Sequence, residues 1–162
     1  MIEFSEIFAP AVIEHEIGTI QYRQNIRAKI IRLEAHLMTM DSEQLEIETK
    51  HHFSNGIYAR EVFIPKGTLL TGKIHKTEHL NILSKGDVSV LTEFGPERIV
   101  AHNTFISQPW TKRVVYAHED SIWTVLHATN AKTPDEAEEI LIAKNYDELE
   151  KIESLLLEEK GE

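Results

Sequence analysis

The feature that most restricts the fold of this chain is the stretch from Ile57 to Thr129, where short apolar or alternating runs are cut repeatedly by turn-forming residues. Asn55-Gly56, Pro65-Lys66-Gly67, Gly86-Asp87, Gly95-Pro96, His102-Asn103 and Glu119-Asp120 mark the breaks, and each supplies residue types that favour a tight turn. Between them lie Ile57–Ile64, Thr68–His75, His79–Leu83, Asp87–Glu93, Arg98–Ala101, Thr104–Ser107, Lys112–Ala117 and Ser121–Thr129, about eight strands. Short strands with regular turn signals predict an antiparallel sandwich or barrel.

The flanks change period. From Thr19, the residues Tyr22, Ile26, Ile30, Leu33 and Leu37 recur at three or four positions, with Arg23, Arg27, Lys29 and Arg32 between them. That spacing predicts an amphipathic helix capped by Thr19, its basic face in water, ending at Met38–Asp41. Residues 43–52 read as a linking strand, on which His51 and His52 point to opposite faces and cannot chelate together. After Thr129, Thr133-Pro134-Asp135-Glu136 forms a capping box with proline at the first helical position. Ala137, Ile140 and Leu141 give that helix its apolar side. A second helix over about Tyr146–Glu159 spaces Leu149, Ile152, Leu155 and Leu156 for packing on the barrel or on a second subunit. Residues 1–18, with scattered apolar positions around Pro10, read as a short strand or turn. The 162 residues suit one domain: an N-terminal arm and helix over 1–50, a barrel over 51–130 and C-terminal helices over 131–162.

Charge narrows the partners. The net charge is −10, and residues 134–162 carry eleven acidic residues against three lysines, or −8 of it. That acidic tail argues against duplex nucleic acid, which needs a basic surface. There is no cysteine, hence no disulfide framework and no thiolate metal site. No apolar run approaches membrane-spanning length, and a cytoplasmic protein is expected.

The chemistry concentrates in Gly72–Gly86, GKIHKTEHLNILSKG. In extended chain Lys73, His75, His79 and Asn81 share a face, provided that a turn at Lys76–Thr77 keeps the count. The same parity turns Arg60, Arg113 and His127 inward from other strands. Buried charge is costly, so such a set implies an anionic occupant or pairing with Glu61 and Glu78. One reading is metal: His75, His79 and His127 supply three nitrogens, Glu78 or Asn81 an oxygen, for zinc, iron or manganese. Lys73 opposes it by repelling a cation. The other reading is an anionic, partly aromatic small molecule. Arg60, Lys73, His75, His79 and Arg113 would hold its charge, Asn81 would join them in binding it, and Trp110 or Tyr116 would stack on it. Trp123 reads as core. Ser107 and Ser121 lie near histidines in sequence, without a nucleophile-elbow pattern.

These residues also carry a resemblance. The chain from Ile57 to Thr129 resembles a cupin domain, a double-stranded β-helix. Gly72, His75 and Gly86 match the first cupin motif in order, with Lys73 at its first histidine and His79 at its glutamate. Ser107–Arg113, SQPWTKR, resembles the second motif, with Trp110 at its glycine and Arg113 or Val114 at its histidine. The pattern is similar to small RmlC-like cupins encoded by bacteriophages, which implies a virus-encoded protein in the host cytoplasm. The expectation is thus a mainly β jelly-roll barrel with an N-terminal helix and C-terminal helices, a homodimer or higher. The leading function expected is capture of an anionic, nucleotide-like small molecule, with sequestration of a defence signal as its phage role. The alternatives are a metal-dependent cupin enzyme acting on a small polar substrate, and a structural protein with a vestigial pocket. Either no cofactor or one divalent metal ion is implied.

Overall fold

A computed structural model describes residues 19–40 and 46–161. The N-terminal arm expected over 1–18, and the start of the linking strand at 43–45, lie outside the described residues.

Helix α1 spans Ile20–Thr39, and the Thr19 side chain caps it by accepting the Tyr22 N–H. Eleven strands follow among the described residues: β1 Thr49–Ser54, β2 Ile57–Ile64, β3 Leu69–Thr71, β4 Ile74–His75, β5 His79–Lys85, β6 Asp87–Thr92, β7 Gly95–Val100, β8 Asn103–Ser107, β9 Val114–Ala117, β10 Ser121–Ala128 and β11 Ile142–Ala143. Helices α2, Pro134–Leu141, and α3, Asp147–Lys160, flank β11. The predicted strand Thr68–His75 is two strands, interrupted at Gly72-Lys73. The turn expected at Gly95-Pro96 lies two residues earlier, at Glu93-Phe94, so Pro96 sits inside β7 opposite Leu91. There it occupies the outer strand of its sheet, where a missing N–H costs no ladder bond.

All pairings are antiparallel. One sheet runs β1-β2-β10-β5-β8 and a second runs β3-β9-β6-β7, with β4 and β11 as a two-stranded flap. The chain crosses between the two main sheets at β2 to β3, at β5 to β6 and at each step from β7 to β10, the jelly-roll pattern. The sheets face each other without closing into a barrel. Alternation explains why they pack: Val62, Ile64, Leu83, Trp123 and Val125 from the first meet Val88, Val90, Val115 and Ala117 from the second in one buried core. Gly86 permits the crossover from β5. Its φ is +103°, and a Cβ there would lie 2.0 Å from Ser121 Oγ.

Helix α1 covers the outside of the four-stranded sheet, laying Ile26, Ile30 and Leu33 on Leu91 and Val114. Its basic face is not left wholly to water. Arg27 is buried and donates from Nε to Glu93 and from both Nη atoms to Glu153, each at 2.8 Å. Burial opposes the Arg27 charge, but the bonds and charges of Glu153 and Glu93 outweigh it and raise its pKa. On helix α3 the one buried residue is Glu153, while Ile152, Leu155 and Leu156 are exposed, so of the two expected surfaces its apolar side does not use the barrel. Charge on α1, not its apolar side, docks it. No described helix is long and apolar enough to cross a membrane.

Removing Arg27 would strand two buried carboxylates. Arg27→Ala should cost about 3–5 kcal/mol in denaturant unfolding. Glu153→Ala should speed amide exchange across 147–160 while leaving β5 and β10 protected.

Candidate metal centre and its cavity

Three histidines from three strands meet at one end of the sandwich. His127 ends the buried row of β10, after Ser121, Trp123 and Val125. Leu80 pairs with Leu126, so the next step of the ladder sets His79 beside His127. His75 arrives from β4, held by Ile142 of β11 and by a bond from its N–H to Thr111 O. The ring centroids are 4.6 to 5.0 Å apart, and one ligand nitrogen from each lies within 4.8 Å of the others.

Hydrogen bonds assign the free nitrogens. His79 Nδ1 lies 2.8 Å from Thr77 O, a carbonyl that can only accept, so the proton is on Nδ1. Its Nε2 is therefore a lone pair, and it is buried with no partner. His127 Nδ1 faces Thr77 Oγ1 at 3.4 Å, while its Nε2 lies 3.0 Å from His75 Nδ1. Burial pushes the rings toward the neutral form. Desolvation, with the neighbouring imidazoles and Arg113 adding to it, brings His75 down to about 2; desolvation and His79 bring His127 to about 4. Desolvation also lowers His79, against its bond to Thr77.

This donor set fits a divalent ion. Metal–nitrogen bonds of about 2.1 Å put neighbouring ligand nitrogens roughly 3.0–3.4 Å apart, which the His75–His127 pair already matches. The third nitrogen stands somewhat wider. Thr77 supplies the outer bonds that hold imidazole ligands in orientation. The sequence reading missed it, although it lies between His75 and His79. Neither expected oxygen ligand joins them. Glu78 is exposed, and the Asn81 amide is consumed, accepting from Trp123 Nε1 at 3.0 Å and donating to Ser107 Oγ at 2.8 Å.

A cavity of about 140 Å³ opens beside the cluster, between the sheets and beneath α2. Arg60, His75, Arg113 and His127 line it, as parity predicted, together with Trp123 and Tyr58. Lys73 reaches only the mouth: it is exposed and paired with Glu138 of α2, so it repels no ion inside. Trp110 and Tyr116, the expected stacking residues, do not line the cavity. Trp110 sits half-buried in the turn after β8 with φ +66°, the left-handed conformation that glycine takes most easily. Tyr116 alternates outward on β9 and meets His118 edge-on. Ser107 is no nucleophile; its hydroxyl accepts from Asn81 and from Arg113 Nη2. Ser121 Oγ donates to Glu119 O, away from any histidine.

No family model and no curated protein matches the sequence. Solved structures do. The chain is similar to a cupin superfamily protein from Desulfitobacterium hafniense over 55% of its length and 83% of the other's, at 5% identity and a TM-score of 0.45. It is similar to KdgF from Halomonas sp. over 60% and 92%, at 15% identity and 0.46. A further similarity is to an RmlC-like cupin from Shewanella frigidimarina, over 57% and 90%, at 17% identity and 0.44. These likenesses span little more than half of the chain and concern architecture.

The neutral histidines carry a pH signature. The unfolded chain protonates them near 6.5, the folded chain only at lower values. The unfolded state thus binds more protons within that window, so their contribution is complete above about pH 6.5 and stability falls as pH falls through it. Denaturant midpoints of metal-free protein should decline between pH 6.5 and 4, and His127→Phe should flatten the decline.

Proposed function

We propose that this chain holds one divalent metal ion on His75, His79 and His127, and that the ion acts on a small polar ligand in the adjoining cavity. The observation that carries this reading is the buried, unpartnered lone pair of His79 Nε2, set among two further neutral imidazoles. A satisfied core histidine has both nitrogens bonded. Three nitrogen donors without thiolate suit zinc, iron or manganese and leave positions open for a ligand. Bound there, the ion would supply Lewis-acid polarisation of a ligand oxygen. The chain's own residues do the rest: Thr77 orients two of the rings, α2 limits the entry of water, and Trp123 and Val125 shape the wall.

Capture of a nucleotide is the weaker reading. Its stacking residues lie outside the cavity, and a space of about 150 Å³ takes a benzene-sized molecule rather than a nucleotide. Sequestration in a phage setting is a separate proposal to which no residue of the site speaks.

Chelator-treated protein titrated with zinc and manganese in a calorimeter should take up about one ion per chain, and metal analysis of protein purified without chelator should agree. His79→Ala should weaken uptake at least tenfold, and Thr77→Val on the order of tenfold, as outer-shell losses do. Uptake that is unchanged in His79→Ala would sink the reading.

A further inference from the structure

Among the described residues, the interior holds positive charge with no carboxylate paired to it. Arg113 is buried against the cavity, its guanidinium 5.3 Å from the Trp123 ring centroid. Of its five N–H groups the structure satisfies one, through Nη2 to Ser107 Oγ, and Nε is buried with no partner. Arg60 faces the same space from the opposite sheet, and no described carboxylate forms an ion pair with either arginine. The acids that could have served are committed elsewhere. Glu138 pairs with Lys73 at the mouth, Glu61 lies within reach of Lys50, Glu34 takes Lys112, and Glu93 and Glu153 take Arg27. Three neutral imidazoles would leave the full charge of a bound dication in place as well.

We infer that the ligand of this cavity is a small carboxylate, its planar anion seated along the Nε edge of Arg113 and its short apolar remainder against Val115 and Val125. This deepens the reading above, because the carboxylate would share the cavity with the ion. A guanidinium edge matches a carboxylate in plane and charge. The cavity size and its largely aliphatic lining favour a short-chain or single-ring acid.

The test follows the Arg113 Nε–H and Trp123 Nε1–H resonances of the ¹⁵N-labelled full chain, chelator-treated and zinc-loaded. The probes are butyrate and benzoate, their uncharged counterparts butyramide and benzamide, and inorganic phosphate. The carboxylates should shift Arg113 Nε–H saturably in both forms while the amides leave it in place. Arg113→Gln should weaken binding at least tenfold, with Arg113→Lys retaining part of it. Amides or phosphate shifting the resonance as strongly as the carboxylates would overturn the inference, and so would carboxylate binding undiminished in Arg113→Gln. If Arg113→Gln does not fold, the wild-type resonance still decides. Carboxylate shifts without zinc uptake would support the anion subsite and remove the metal reading. Zinc uptake without carboxylate shifts would do the reverse.

Discussion

Desolvation governs how this molecule is built. Two antiparallel sheets facing each other force every second side chain of each strand inward, whatever its chemistry. Along most of the interior the residues accept that placement, as Val62, Leu83, Val88 and Val115 do. At the end beneath α2 the same rows present His75, His79, His127, Arg60 and Arg113 instead. Each unpaired buried polar group costs about 1–3 kcal/mol, and an uncompensated buried charge more. Against a total stability of about 5–15 kcal/mol, that end of the sandwich is a deliberate weakness, supported by the apolar packing of the remainder.

The supporting bonds run inward from the site. Trp123 donates to Asn81, Asn81 donates to Ser107, and Ser107 accepts Arg113. The β5–β8 register that pairs His79 with Ser107 ties this relay to the histidine cluster. The relay ends at Arg113, whose Nε is buried with no partner. Helix α2 completes the enclosure through Ala137 and Leu141, packed on Tyr58. Lys76 N–H bonds Leu141 O, so the helix is fastened to the segment that carries His75. At the opposite side Arg27 fastens α1 to α3. The helices therefore hold one sheet and one mouth in place, and the chemistry stays with the strands.

Much of this was legible from pattern. Turn signals located nearly every strand, and capping chemistry located α1 and α2 at Thr19 and Thr133. Parity placed His75, His79, Asn81, Arg60, Arg113 and His127 on the interior, because a two-residue period survives any tertiary arrangement that keeps strands extended. It failed at Lys73, where Gly72-Lys73 interrupts the strand and the count with it. The roles of Arg27 and Glu153 could not be read, since their partners lie 66 and 126 residues away in sequence. An amphipathic pattern says which face is apolar but not which surface it meets, and on α3 Ile152, Leu155 and Leu156 do not meet the barrel. Thr77 was hidden for another reason: a threonine in a turn has many local uses, and its bonds to two rings depend on where those rings arrive.

The plainer account of the cluster, a polar patch within a core, leaves part of its inventory unbonded among the described residues. Three neutral imidazoles carry three N–H groups and three lone pairs. Thr77 O takes one proton, Thr77 Oγ1 a second, and the His75–His127 contact the third along with one lone pair. The lone pair of His79 Nε2 remains, in a place where water does not reach it, and His75 Nε2 has no described partner. A core built only for stability would replace such rings with leucine or phenylalanine, which repay burial without this debt. A divalent cation accepts several lone pairs at once, as the proposed site requires. To receive it, His75 need only carry its proton on Nε2 instead of Nδ1, and the contact between His75 and His127 then becomes two donors side by side.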